Sequence, residues 1–190
     1  MTDPRERQVT ASWGASLRAL AERQQRRRRW ASATVAFIAV VIGSILLPPR
    51  PLLVWNVSAS APIGLYTVGG RDEIATGDTA LARVPERWRR LAGTRRYIPI
   101  NVPLVKRVAA EPGDTVCALG QEIFVNGRWI AERRQTDGAG RPMPWWTGCV
   151  TLRRGALFLL MDSPDSFDGR YFGPTNRNDI IGTAGLIWRG

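Results

Sequence analysis

The run WASATVAFIAVVIGSILL, from Trp30 to Leu47, carries no charge over 18 residues. As a helix it would extend about 27 Å, the thickness of a bilayer core. Arg26-Arg27-Arg28-Arg29 lead straight into it and Pro48-Pro49 stop it. A cleavable leader would have to use Ser58-Ala59-Ser60 as its small-residue site, too far beyond Leu47 for ordinary processing and behind too long a polar segment. A buried helix of a soluble domain is the other alternative. An uncleaved anchor fits best, with Trp30 and Trp55 near the two interfaces. The division expected is a basic cytoplasmic segment at 1–29, a transmembrane helix at 30–47 and an extracytoplasmic domain at 48–190. Positive-inside bias puts the N-terminus in the cytoplasm and the large domain outside it, in the periplasm of a Gram-negative cell.

The net charge of +11 comes from 27 basic residues against 16 acidic ones. Because the densest basic cluster abuts the apolar run, the partner it implies is membrane lipid rather than nucleic acid. Cys117 and Cys149 are an even pair, able to form a disulfide in an oxidising compartment or to remain two buried thiols. With no histidine and no closely spaced cysteines, neither a metal site nor a cofactor is expected.

Beyond Leu52, short apolar runs alternate with Gly, Pro, Asp-Gly and Asn-Gly turns. Strands are expected at 65–68, 79–84, 104–110, 115–119, 122–125, 129–132, 156–161 and 180–188, with a hairpin at Asn126-Gly127. The domain therefore reads as mainly antiparallel β, a sandwich or barrel. Residues 86–96 (ERWRRLAGTRR) read as a short basic helix whose Trp88 could rest on the membrane, 133–144 as a loop, and 12–29 as helical.

Of the 27 basic residues only Lys106 is lysine. Arginine replaces lysine wherever charge alone matters, but it cannot act as a base. Lys106 lies in the apolar stretch Pro103–Ala110, where desolvation would favour a neutral amine. A neutral amine can activate a serine, and the absence of histidine excludes a histidine-based triad. Ser60, flanked by small residues just past the anchor, can present its hydroxyl to solvent. Taken singly, Ser58 and Ser60 read better as linker, and Asp168-Gly169-Arg170 better as a surface turn with a solvated ion pair.

Three blocks in order resemble the membrane-bound type I signal peptidases that use a Ser/Lys dyad: Ser58-Ala59-Ser60-Ala61-Pro62, Lys106-Arg107-Val108 followed by Pro112-Gly113-Asp114, and Ser166-Phe167-Asp168-Gly169-Arg170-Tyr171. The form Ser60-Ala61-Pro62-Ile63-Gly64-Leu65-Tyr66 departs from the general leader-peptidase pattern and is similar to the conjugative transfer (TraF) type. The resemblance implies a signal-peptidase-like antiparallel β domain, tethered by one transmembrane helix in the inner membrane. It implies a serine endopeptidase acting on an exported precursor, a conjugative pilin or another preprotein. In it Ser60 would be the nucleophile and Lys106 the general base. The Ser60 N–H and the Ser58 hydroxyl would form the oxyanion hole. Ser166 would orient Lys106, and Asp168 and Arg170 would support the site.

Overall fold

The computed structural model describes residues 4–46, 51–58, 60–71 and 74–190, with side chains from residue 23 onward. Leu47, the Pro48-Pro49 stop and Ala59 of the serine motif lie outside the described residues. The chain divides into two compact units, Met1–Arg50 and Pro51–Gly190.

In the first unit, α1 (Pro4–Leu46) is continuous through the arginine cluster. Its stretch Arg23–Leu46 is long and apolar enough to cross a bilayer, and its apolar side chains, Trp30, Val35, Phe37 and Val40 among them, are exposed. Such a surface is costly in water and suits lipid.

Among its described residues the second unit holds ten strands: β1 (Leu53–Asn56), β2 (Gly64–Val68), β3 (Thr79–Ala82), β4 (Leu104–Ala110), β5 (Thr115–Leu119), β6 (Glu122–Val125), β7 (Arg128–Glu132), β8 (Gly148–Thr151), β9 (Phe158–Leu160) and β10 (Ile180–Arg189). Helix α2 (Glu86–Thr94) and the single turn α3 (Gly169–Phe172) complete it, with a 3₁₀ turn at Arg177–Asp179. Six strands form one sheet in the order β1-β2-β10-β3-β4-β9, and four form a second in the order β7-β6-β5-β8. All pairings are antiparallel, and β10 is long enough to pair with β3 through its first half and β2 through its second. The domain is thus mainly β, as the turn spacing implies.

In the large sheet the apolar runs are buried on both faces. Leu81 and Val105 join a cluster with Tyr66 and Ile181 on one side. Ala80, Ala82, Val108 and Leu159 pack on the other. Register pairs Ala80 with Lys106, so the lysine falls on the face of Ala80 and Val108. In the small sheet, Val116, Ala118 and Ile123 pack on Phe158 and Leu160, which couples the two sheets. The β6–β7 hairpin turns at Asn126 (φ 51°) and Gly127 (φ 78°), the two positive φ values a two-residue turn of this kind demands.

Trp88 is partly buried and packs on the cluster of Val84, Ala92 and Phe172. Of the two readings of the cysteines, the disulfide holds: Cys117 of β5 lies opposite Cys149 of β8 and the two are bonded.

Candidate active site

Three separate chain segments converge on Lys106. It enters from the middle of β4, a strand paired on both sides, and is only 3% exposed. Its Nζ lies 2.8 Å from Ser60 Oγ and 2.7 Å from Ser166 Oγ, donating to both when charged. With the amine neutral, the Ser60 hydroxyl can donate to the nitrogen across the same distance. Burial pushes the Lys106 ammonium down from its ordinary 10.5 to about 8; Asp168 opposes that fall and Arg170 assists it. Lys106 therefore reaches its neutral form at a lower pH than an exposed lysine does.

Ser60 sits half-buried on the loop between β1 and β2. Its Oγ is 2.9 Å from Ser58 Oγ, and its N–H donates to that same Ser58 oxygen over a long 3.4 Å. The Ser60 N–H and the Ser58 hydroxyl therefore lie side by side next to the Ser60 oxygen.

Ser166, 2% exposed, precedes the α3 turn. Asp168 caps that turn, accepting from the Arg170 N–H at 3.2 Å. Its carboxylate also takes Arg170 Nε at 2.9 Å, Arg170 Nη2 at 3.1 Å and the Met161 N–H at 3.1 Å. Arg170 in turn donates to the carbonyls of Met161 and Glu132. The pair is 0% and 2% exposed, so the solvated surface turn does not hold. A buried ion pair is tolerable only when its remaining donors and acceptors are satisfied, and here they are. The intervening Gly169 is required sterically: a Cβ there would come within 2.7 Å of the Leu159 carbonyl and 2.8 Å of the Phe158 ring.

Two hollows share Ser60 and Lys106 in their walls. The larger is a cleft of about 730 Å³ whose mixed walls include Thr136, Ser163 and Asp165 beside Leu104, Met143 and Phe167. The smaller, about 300 Å³, is lined also by Pro99, Val102, Pro103 and Val105. Tyr97 borders both. Its hydroxyl donates to Asp137 Oδ2 at 2.6 Å. Asp137 also takes Arg141 Nε at 2.7 Å and the Ala139 and Arg141 N–H groups, which folds residues 136–142 into a compact loop. The Tyr97 hydroxyl, ahead of these other donors, holds the Asp137 carboxyl well below the usual carboxylate range.

The structure thus brings together Ser58, Ser60, Lys106 and Ser166, with Asp168 and Arg170 directly behind. Cys117 and Cys149 lie apart, in the small sheet. Sequence reasoning missed Asn56, Tyr97, Asp137 and Arg133. Arg133 is completely buried, donating to the Gly120 carbonyl at 2.8 and 3.1 Å and to the Arg170 carbonyl at 3.3 Å, with its guanidinium 3.6 Å from the centre of the Trp145 ring. Nothing local marks it among so many arginines, since its partners are distant in sequence. Asp137-Gly138 carried only a turn signal.

Comparison with known proteins places the chain in a family. The family model described as signal peptidase, peptidase S26, matches residues 27–189. A plasmid transfer protein TraF of Escherichia coli is 40% identical over 82 residues, 41% of this chain and 46% of that protein. The chain thus spans about half the length of that relative. A conjugal transfer protein TraF of Agrobacterium fabrum is 31% identical over 139 residues, covering 68% of this chain and 78% of its own length. Signal peptidase I V of Bacillus subtilis is 30% identical over 95 residues, 44% of this chain and 56% of that protein. The chain belongs to the peptidase S26 signal peptidases, within their conjugal-transfer TraF type.

Proposed function

We propose that this chain is a membrane-anchored serine endopeptidase in which Ser60 is the nucleophile and Lys106 the general base. The observation that carries the reading is a lone lysine, buried and pushed down to about 8, with its nitrogen 2.8 Å from a serine hydroxyl at the centre of a cleft.

In this reading neutral Lys106 takes the Ser60 proton as Oγ attacks the scissile carbonyl carbon. The carbonyl oxygen becomes an oxyanion and accepts hydrogen bonds from the Ser60 N–H and the Ser58 hydroxyl, replacing the contact those two groups make with each other. Lys106 then gives its proton to the leaving amine as the C–N bond breaks, leaving an ester on Ser60. A water, deprotonated by Lys106, hydrolyses that ester. Ser166 holds the amine on the line of approach throughout. Asp168 and Arg170 fix the segment that carries Ser166, without touching the substrate.

The substrate proposed is an exported precursor carrying a leader segment, and the TraF likeness favours a conjugative pilin. The likeness to the Bacillus signal peptidase supports a second reading, a general leader peptidase with the same chemistry. The topology proposed is residues 1–29 in the cytoplasm, 30–47 across the inner membrane and 48–190 in the periplasm, as the arginines at 26–29 favour.

The test is processing of a co-expressed pilin precursor in membranes by the parent chain, Ser60→Ala and Lys106→Arg. Arginine keeps the charge but cannot accept a proton. Loss of processing in both variants, with each still inserted, supports the dyad. Normal processing by either overturns it. Cleavage of a generic secretory precursor but not the pilin would keep the chemistry and select the second reading.

A further inference from the structure

Immediately before the serine loop, β1 ends on Asn56, a polar side chain only 6% exposed. The loop that follows turns three carbonyls toward it. Asn56 Nδ2 donates to Ser58 O at 3.1 Å, Ala61 O at 3.2 Å and Pro62 O at 3.0 Å, sharing its two hydrogens among three acceptors. Its Oδ1 accepts the Ser58 N–H at 3.0 Å. One side chain therefore grips Ser58 by both its N–H and its C=O. From the other end of the loop Tyr66, itself buried, donates its hydroxyl to Pro62 O at 2.8 Å.

We infer that Asn56 is a positioning residue that holds the Ser58 hydroxyl beside the Ser60 N–H, so that the pair of donors is formed before substrate arrives; this rests on the serine-peptidase reading above. With both backbone groups of Ser58 fixed, its side chain leaves the backbone in a set direction, which brings Oγ within 2.9 Å of Ser60 Oγ. Only an amide fits the position. Aspartate would have the same shape but would face three carbonyls with no hydrogen to give. Leucine or alanine would remove this donor from the Ala61 carbonyl and one of two donors from each of the Ser58 and Pro62 carbonyls. A donor aimed at a developing oxyanion acts only when its placement is set in advance. Asn56 shares no hydrogen bond with Lys106 or Ser166, so its effect should pass through Ser58 and leave the base alone.

The experiment is a double-mutant cycle on the full chain in detergent, with a precursor peptide as substrate. Asn56→Ala should lower kcat about 10²-fold, the scale of a lost oxyanion donor, with KM little changed. In a Ser58→Ala background the same substitution should cost less than about threefold more, because the group it positions is gone. The pH midpoint of kcat should stay at that of the parent. Asn56→Asp should fail as Asn56→Ala does. Exchange of the Ser58 amide, measured in the inactive Ser60→Ala background, should speed up about fivefold or more on Asn56→Ala. Losses that multiply fully in the double variant, a parental kcat in Asn56→Asp, or an unchanged Ser58 exchange rate would each overturn the inference. Parental activity in Ser60→Ala alone would instead end the peptidase reading, and the role of Asn56 with it.

Discussion

Burying Lys106 is costly, and the cost has a pH signature. In the unfolded chain the amine titrates at its ordinary 10.5, and in the folded chain at about 8. Above 10.5 both states hold a neutral amine. Between about 8 and 10.5 the unfolded chain binds a proton that the folded chain has released, so stability falls as pH drops through this window. Below about 8 both states are charged and the full penalty, about 3 kcal/mol, is in place. Lys106→Met removes the titration and nearly conserves the shape. It leaves the Ser166 hydroxyl without its amine partner, a loss of about 1 kcal/mol. The variant should therefore be more stable than the parent by about 2 kcal/mol at pH 7 and less stable by about 1 kcal/mol at pH 11. Lys106→Arg keeps its charge throughout and should show no such relief. Urea unfolding of the full chain in micelles, followed by tryptophan fluorescence at several pH values, measures the difference, and every other titrating group cancels between parent and variant. A difference that is flat from pH 7 to 11 would refute the assignment of a buried, depressed Lys106.

The rate should follow the same group: kcat rises about tenfold per pH unit below about 8 and levels off above it, as expected for a base that must be neutral, and a stopped assay over pH 6–10 reads this. Replacing Cys117 and Cys149 together by serine opens a link across 32 residues and should lower stability by about 2–4 kcal/mol in a denaturant titration. Processing should persist in that variant, since neither cysteine borders the cleft. Tyr97→Phe removes the 2.6 Å hydrogen bond that ties the 136–142 loop to the opposite wall. It should raise KM about fivefold with little change in kcat, read from steady-state kinetics.

Much of the fold was legible because its signals are local. The Asn126-Gly127 turn, the apolar runs 104–110 and 115–119, and the basic helix at Glu86–Thr94 all appear where the residues put them. Two edge strands did not announce themselves. Strand β8 is exposed along its whole length and shows no apolar alternation, and β1 follows so closely on the prolines that it reads as linker. The site residues were readable through the order of three blocks, because each block has a composition its role demands. Arg133 and Asn56 were not, because each is defined by backbone carbonyls that only the folded chain brings to it. The burial of Asp168 and Arg170 was likewise hidden: the dipeptide step around Gly169 looks like a surface turn until Phe158 and Leu159 are packed against it.

The proposed chemistry is tested most directly by catching the covalent intermediate. A precursor peptide mixed with the full chain and quenched in acid within a turnover should leave its N-terminal fragment as an ester, located by mass spectrometry on the peptide containing Ser60. The account predicts that adduct on Ser60, absent in Lys106→Arg. An adduct on Ser58 or Ser166, or turnover with no adduct on any serine, would contradict it.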